Sequence, residues 1–289
     1  MSSQRHIILG FPESGKTTYL AALWHVIEAG PKTTSLTLEK ITGDARYLNK
    51  IVEAWLRCDE VPRTYLSDEQ KVSLYVRDSK TGDTMILSLP DFSGETFQEI
   101  FADRHCLEEL YGDLDEDGGI LFFVNADRAN DTMSILDHGF DGEDDEDDED
   151  DETANTNPED ILQEFDARKV PEQTRIVDLL QLLQTAPFVQ RNRRITIVVS
   201  AWDVTLEDRI TPQEWVAREM PLLDQYLANN AKLYETRFCG VSAQGGVLTA
   251  ATRNSLLAKD PAKRVICHWD GQSGQDITLP LRWLSANDH

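Results

Sequence analysis

Residues 10–17 read G-F-P-E-S-G-K-T, and their types and spacing point most clearly to chemistry. They match the pattern G-x-x-x-x-G-K-[ST], in which glycines let the backbone curl so that several N–H groups converge on a phosphate. Lys16 is predicted to bridge the β- and γ-phosphates of a nucleotide as a catalytic cation, and the Thr17 hydroxyl is predicted to bind Mg²⁺. The loop residues predicted to contact the nucleotide are Gly10, Glu13, Ser14, Gly15, Lys16, Thr17 and Thr18.

A second segment, D-F-S-G at residues 91–94, follows the predicted strand Met85–Leu89 and has the chemistry of a metal site. From the end of a strand, Asp91 can hold a water bound to Mg²⁺, and the Gly94 N–H can reach a γ-phosphate. An ordinary aspartate–glycine turn is the alternative, because both residue types favour turns. The phosphate-binding loop upstream favours the metal-site interpretation.

The elements that must position these residues alternate between strands and helices. His6–Gly10 is a short apolar strand that enters the phosphate-binding loop, and Lys16–Glu28 is an amphipathic helix that leaves it. The other predicted elements are a helix at Ala45–Leu56, strands at Val72–Val76, Met85–Leu89, Gly119–Val124 and Arg194–Val199, a helix through Ile176–Leu183, a helix capped at Thr211–Glu214, and a last strand at Phe238–Val241. This order predicts a three-layer α/β fold, in which a mostly parallel sheet carries helices on both faces.

Charge and composition exclude several classes of protein. The 289 residues include 52 acidic and 28 basic side chains, and the net charge of -24 argues against direct nucleic-acid binding. Eleven of the acidic residues lie in Asp141–Glu152, and the segment at about 128–157 is predicted to be a disordered insertion in a single domain spanning residues 1–289. The cysteines form no C-x-x-C pair and no run of about 18 apolar residues occurs, so we expect a cytoplasmic protein without a membrane span.

The phosphate-binding loop and the D-x-x-G segment together resemble those of Ras-like P-loop GTPases, and two further fragments extend the resemblance. V-S-A-W-D ends a predicted strand where that family carries N-K-x-D, which implies that Asp203 pairs with the guanine edge, although Ala201 stands where lysine would. G-V-S-A-Q resembles the S-A-K loop of the family, which implies that Ser242 and Ala243 contact the base. An alternative for Asp203 is that it caps a segment beginning near Thr205.

Within that family, the chain most resembles bacterial double-GTPase-type proteins, which are encoded in multi-gene systems associated with conflict and defence. The resemblance rests on the opening G-x-x-x-x-G-K-T-T-Y-L-x-A-L, on P-D-F-S-G-E, and on the closing Leu279–Leu284. It implies a three-layer P-loop NTPase fold of the Ras-like type, with GTP or GDP and Mg²⁺ as cofactors. It also implies a protein effector or regulator, encoded nearby, as partner.

A Ras-like site implies a threonine, just before the second strand, that senses Mg²⁺ and the γ-phosphate. Thr64 is the candidate, ahead of Thr33, Thr34 and Thr37, because it precedes Val72–Val76. A threonine in a surface turn is the alternative. The adjacent Arg63 is a candidate catalytic arginine. Glu95 stands where such proteins carry the glutamine that orients water, and its negative charge near the γ-phosphate predicts slow intrinsic hydrolysis.

The sequence therefore predicts a GTP-binding protein with slow, Mg²⁺-dependent hydrolysis that acts as a nucleotide-dependent switch on a protein partner in a bacterial defence system. Two alternatives stay open. One is an ATP-using P-loop enzyme or ATPase, in which Asp203 makes no contact with the base. The other is a scaffold that retains a nucleotide for structural stability and neither switches nor turns it over.

Overall fold

The computed structural model describes residues 4–28, 34–43, 45–61, 72–89, 100–101, 111–112, 114–127 and 170–285. Five predicted site residues lie outside these ranges, and so does the predicted acidic insertion at about 128–157. The five residues are Arg63, Thr64, Asp91, Gly94 and Glu95. Their roles stay predictions.

Nine strands form one mixed sheet within the described residues. They are β1 (Arg5–Gly10), β2 (Leu36–Thr42), β3 (Val72–Asp78), β4 (Thr84–Leu89), β5 (Ile120–Asn125), β6 (Arg193–Ser200), β7 (Tyr234–Ser242), β8 (Ile266–Trp269) and β9 (Gln272–Gly274). Their order across the sheet is β2-β3-β4-β1-β5-β6-β7-β8-β9. The five central strands, from β4 to β7, are parallel, and the strands outside them pair antiparallel. The carboxyl ends of β1, β5, β6 and β7 therefore meet at one edge of the sheet, where ligands bind in open α/β folds.

Helices cover both faces of this sheet. They are α1 (Lys16–Glu28), α2 (Ala45–Leu56), α3 (Glu172–Leu182), α4 (Pro212–Glu219), α5 (Pro221–Asn229), α6 (Ala250–Leu257), α7 (Pro261–Arg264) and α8 (Leu279–Leu284). In β1, Ile8 packs into the apolar cluster that includes α1, α2 and α8, whereas Ile7 and Leu9 pack into the cluster that includes α3, α4 and α5. Because side chains alternate along a strand, one strand supplies both layers of core. The predicted three-layer α/β fold is confirmed.

The outer strands differ from the expectation based on sequence. β2 has no counterpart among the predicted strands, so Val72–Asp78 is the third strand, and not the second, in the part of the chain that the structure describes. The prediction that Phe238–Val241 is the last strand is wrong, because β8 and β9 follow it. β2 is partly exposed along most of its length and β9 is exposed throughout. Outer strands that bury few side chains lack the apolar runs by which central strands are recognised.

Three of the helices agree with features that the sequence predicts. α1 and α2 have the bounds expected from their apolar spacing. The predicted cap of α4 is also present: the Thr211 side chain accepts from the Glu214 N–H, and the Glu214 carboxylate accepts from the Thr211 N–H at 2.7 Å. Among the helices of the described residues, none has the length and apolar character that a membrane span requires.

Candidate nucleotide-binding site

The loop between β1 and α1 has a backbone that requires glycine at two positions. Gly10 has a φ angle of 151° and Gly15 a φ angle of 86°. A Cβ atom on Gly15 would lie 2.6 Å from Ser200 Oγ, and one on Gly10 would lie 2.8 Å from the carbonyl oxygen of Phe123. Both glycines of the motif are therefore required by the backbone conformation and by the close approach of β5 and β6.

The Lys16 side chain lies against the loop that precedes it. Its Nζ donates to the carbonyl oxygens of Gly10 at 2.6 Å and Phe11 at 2.7 Å, and to Ser14 Oγ at 3.1 Å. Burial lowers the pKa of the Lys16 ammonium to about 8, and the carboxylate of Glu172 opposes that shift. The loop thus holds a largely desolvated cation, and such a cation attracts a phosphate more strongly than a hydrated one does.

Asn125, the last residue of β5, connects the phosphate-binding loop to the next strand of the sheet. Its Nδ2 donates to the carbonyl oxygen of Glu13 at 2.9 Å, and its Oδ1 accepts from the Asp127 N–H at 3.0 Å. Glu13 has a φ angle of 63°, a left-handed conformation that is strained for a residue with a Cβ. The bond from Asn125 supports this conformation. Sequence reasoning missed Asn125, and its signal is a polar residue directly after the apolar run G-I-L-F-F-V.

Beyond the carboxyl end of β6, the structure brings Asp203 into contact with Ser242 at the end of β7. Ser242 Oγ donates to Asp203 Oδ1 at 2.5 Å, and the Gly245 N–H donates to Ser242 Oγ at 3.0 Å. Asp203 lies inside the 3-10 helix Trp202–Thr205, whose N-cap is Ala201. The carboxylate is therefore oriented by the loop after β7, and the N-cap position belongs to another residue.

Two buried side chains, one at the end of α2 and one in α7, support the loop that follows β7. Trp55 Nε1 donates to the carbonyl oxygen of Ala243 at 3.0 Å, and Arg264 Nη2 donates to the carbonyl oxygen of Trp55 at 2.5 Å. The Arg264 guanidinium carbon lies 4.2 Å from the centroid of the Trp55 ring, within the range of a cation–π contact. The backbone around Ala243 is thus fixed by buried contacts before any ligand arrives.

A cavity of about 300 Å³ connects the phosphate-binding loop with the Asp203–Ser242 pair. Its lining includes Glu13, Gly15, Thr18, Asp203, Ser242 and Ala243. Three apolar side chains that also line it, Val204, Val247 and Leu248, are 42%, 54% and 39% exposed. Exposed apolar groups in a concave site are suited to contact with a flat ring. The cavity therefore combines an anion-binding end with an apolar wall and a carboxylate acceptor.

A family model described as Double-GTPase 1 matches residues 7–284. The chain belongs to this family. The predicted resemblance to double-GTPase-type proteins is thereby confirmed, and family membership supports guanine-nucleotide binding. A search of curated proteins found no match.

Two solved structures that resemble the Double-GTPase 1 chain in fold are the S. cerevisiae Ski7 GTPase-like domain, bound to GTP, and Sup35 complexed with GDP. The Ski7 domain is 10% identical, with a TM-score of 0.43, and the alignment covers 90% of this chain and 51% of that one. Sup35 is 14% identical, with a TM-score of 0.35, and the alignment covers 85% of this chain and 39% of that one. The chain thus spans about half, or less, of the length of each protein.

In the Double-GTPase 1 chain, the predicted nucleotide-contacting residues that the structure describes lie in two groups. One group is the loop from Gly10 to Thr18, and the other is Asp203 with Ser242 and Ala243. The cavity touches both groups, although they are far apart in the sequence. The structure therefore brings together the two ends of the site that the sequence predicts separately.

Thr17, the second residue of α1, is the described residue that is predicted to hold Mg²⁺. Its hydroxyl is an oxygen donor of the kind that Mg²⁺ prefers, and the ion commonly takes one or two protein oxygens and completes its shell with waters and phosphate oxygens. Within the described residues there is no cluster of three or more His, Cys, Asp or Glu side chains that could hold a metal alone. This donor chemistry fits an ion that arrives with a nucleotide, for which Thr64 and Asp91 are the other predicted protein ligands.

Proposed function

We propose that this Double-GTPase 1 chain binds GTP and GDP together with Mg²⁺, and that it hydrolyses GTP slowly. The observation that best supports the proposal is the cavity that joins the Lys16 loop to Asp203. The phosphates lie on the loop, where backbone N–H groups and the helix N-terminus favour an anion and Lys16 neutralises its charge. The base then extends toward the ends of β6 and β7.

Guanine recognition is assigned to the Asp203 end of the cavity. A carboxylate offers two acceptors to the ring N–H and the amino group of guanine, whereas adenine presents its amino group beside an unprotonated ring nitrogen. Val204, Val247 and Leu248 line the cavity, and we assign them apolar contact with the faces of the ring. These contacts supply binding surface at a site where Ala201 offers no long side chain.

The proposed chemistry is attack of water on the γ-phosphorus. Lys16 and the loop N–H groups stabilise the charge that develops on the transferred phosphoryl group. When bound, Mg²⁺ supplies further neutralisation of the β- and γ-phosphate oxygens. Arg63 and Glu95 are the proposed assisting residues, and the charge of Glu95 is the reason to expect slow turnover.

The proposed switch is the D-x-x-G segment. Gly94 can bond to the γ-phosphate only while that group is present, so the segment responds to the nucleotide state. We assign the readout of this state to a protein partner, and the resemblance to double-GTPase-type proteins supports a role in a bacterial defence system.

Titration calorimetry of the full chain with GTP, GDP and ATP, in the presence of Mg²⁺, tests nucleotide binding. We expect both guanine nucleotides to bind at least about a hundredfold more tightly than ATP, because a partly buried carboxylate that faces the wrong base edge leaves polar groups unpaired. Tighter binding of ATP would favour the ATP-using enzyme, and the absence of binding to any nucleotide would refute the proposal.

Two further measurements test turnover and switching. Phosphate release from GTP by the purified chain should be slow, and rapid release without a partner would contradict the role assigned to Glu95. Limited proteolysis should differ between GDP and the non-hydrolysable β,γ-imido analogue of GTP. Identical digestion patterns would favour the non-switching scaffold.

Nucleotide affinity should fall as pH rises through about 8, because burial lowers the pKa of Lys16 to about 8 in the ligand-free chain. Below that pH the ammonium is already charged. Above it the amine must take up a proton before it can bind phosphate, and affinity then falls by up to about tenfold per pH unit. Calorimetry at about pH 9 in buffers of different ionisation enthalpy should detect uptake of up to about one proton.

The matched control for this pH dependence is Lys16→Arg. Arginine keeps its charge throughout the range, while any titration of the nucleotide itself is common to both proteins. The variant should show a flatter pH profile and less proton uptake than the natural chain. The same decline in affinity in both proteins would show that Lys16 is not the titrating group.

A further inference from the structure

Arg175 is a buried cation that the fold leaves without hydrogen-bond partners at two of its nitrogens. It lies in the first turns of α3 and is only 8% exposed. Its Nε and Nη1 have no partner among the described residues. Burial of a charged group without a partner is costly, and such groups in native proteins need an explanation.

The position of Arg175 connects it to the phosphate-binding loop. Its guanidinium carbon lies 4.5 Å from the centroid of the Phe11 ring. Phe11 is the second residue of the loop, and its carbonyl oxygen accepts from Lys16 Nζ at 2.7 Å. The Glu172 carboxylate interacts electrostatically with both cations, raising the pKa of each against the effect of burial. The two cations and this carboxylate are therefore close enough to interact at the phosphate-binding loop.

A second buried arginine provides a comparison within the same chain. Arg193 is 3% exposed, and its Nε and Nη2 also have no partner in the part of the chain that the structure describes. Arg193 begins β6, however, whereas Ser200 at the other end of that strand lines the cavity. The eight-residue strand separates the two ends by roughly 25 Å. Only one of the two arginines thus lies beside the phosphate-binding loop.

We infer that Arg175 binds the terminal phosphate of a bound nucleoside triphosphate and thereby favours GTP over GDP. This inference rests on the proposed function of the same site. The terminal phosphate is the group by which the two nucleotides differ, and a guanidinium with free donors is suited to an anionic oxygen. In the ligand-free chain the ring of Phe11 stabilises the cation; in the bound chain the phosphate completes its hydrogen bonds.

Equilibrium binding of GDP and of the β,γ-imido analogue of GTP tests this role in the natural chain and in three variants. Arg175→Met keeps an unbranched stem over Phe11 and removes the charge, while Arg175→Lys keeps the charge. Arg193→Met is the matched control, because it removes a buried, unpaired guanidinium far from the cavity. Unfolding midpoints of all four proteins without nucleotide separate binding effects from folding effects.

We expect Arg175→Met to weaken binding of the triphosphate analogue by about tenfold or more, which is the size of one charge-assisted hydrogen bond. GDP affinity should change by less than about threefold, and Arg175→Lys should recover part of the loss. Arg193→Met should leave the ratio of the two affinities unchanged. If Arg175→Met does not fold, Arg175→Lys alone tests the inference. Lysine offers a point charge on a shorter stem, so this variant should bind the triphosphate analogue less tightly than the natural chain does.

An unchanged affinity ratio in a folded Arg175→Met protein would overturn the inference. So would an equal loss of both nucleotides together with a lower unfolding midpoint, because that result would assign Arg175 a structural role. A natural chain that binds neither guanine nucleotide would instead refute the proposed function, so the two failures are distinguishable.

Discussion

Replacement of Lys16 by methionine is expected to weaken binding of both GTP and GDP by at least about a hundredfold. The ammonium is the charged centre of the loop, with contacts to Gly10, Phe11 and Ser14 that a phosphate would share or replace. Loss of two charge-assisted hydrogen bonds from a desolvated site corresponds to about 3 to 6 kcal/mol. Fluorescence titration with labelled GDP, followed by competition with unlabelled nucleotides, measures the loss.

The same substitution should not destabilise the ligand-free protein. Since the pKa of Lys16 is lowered from 10.5 to about 8, its charged form costs the folded state about 3 kcal/mol at pH 7, and methionine removes that cost. We therefore expect an equal or higher unfolding midpoint together with a loss of binding. Lys259→Met, at an exposed lysine, is the control and should change neither quantity. Retained nucleotide affinity in Lys16→Met would disprove the assignment of this loop as the phosphate site.

The substitution Asp203→Asn should exchange guanine for xanthine as the preferred base. Gly245 N–H donates to Ser242 Oγ, and Ser242 in turn donates to Asp203 Oδ1, so the asparagine oxygen keeps the position facing Ser242. The asparagine NH₂ then takes the place of the second carboxylate oxygen. A donor there opposes the amino group of guanine and matches the carbonyl oxygen that xanthine carries at the same position.

We expect Asp203→Asn to weaken GTP binding by about a hundredfold and to strengthen xanthosine triphosphate binding relative to the natural chain. Asp208→Asn is the matched control, because Asp208 is paired with Arg218 on the surface nearby. Competition assays with both triphosphates in all three proteins give the result. Unchanged affinities in Asp203→Asn would mean that this carboxylate does not contact the base, and that outcome would favour the ATP-using alternative.

The phosphate end of the site could be predicted because its parts are contiguous in the chain. Both glycines and Lys16 lie within residues 10–17, and the flanking strand and helix have recognisable periodicity. The base end could be predicted only through a family resemblance. Asp203 and Ser242 follow different strands, and their contact depends on the register in which Ser200 pairs with Val241.

The outer strands and the supporting residues could not be predicted from spacing. β2 and β9 bury too few side chains to form an apolar run. Asn125 follows an ordinary buried strand, and its role emerges only from its bond to Glu13. Arg175 occupies a helical position where an exposed arginine would be unremarkable, and its burial follows from packing against Phe11.

The glycine-rich loop at residues 10–17, the alternation of strands and helices, and the family could all be recognised from the amino-acid sequence. Each of these is a pattern of neighbours along the chain, and such patterns follow from local backbone geometry and side-chain periodicity. The tertiary structure was needed to show that Asp203 lies against Ser242, that Asn125 supports the loop, and that Arg175 lies over the Phe11 ring with two guanidinium nitrogens unpaired among the described residues. These contacts form because parallel strands end at one edge of the sheet, which brings together residues that no spacing in the chain connects.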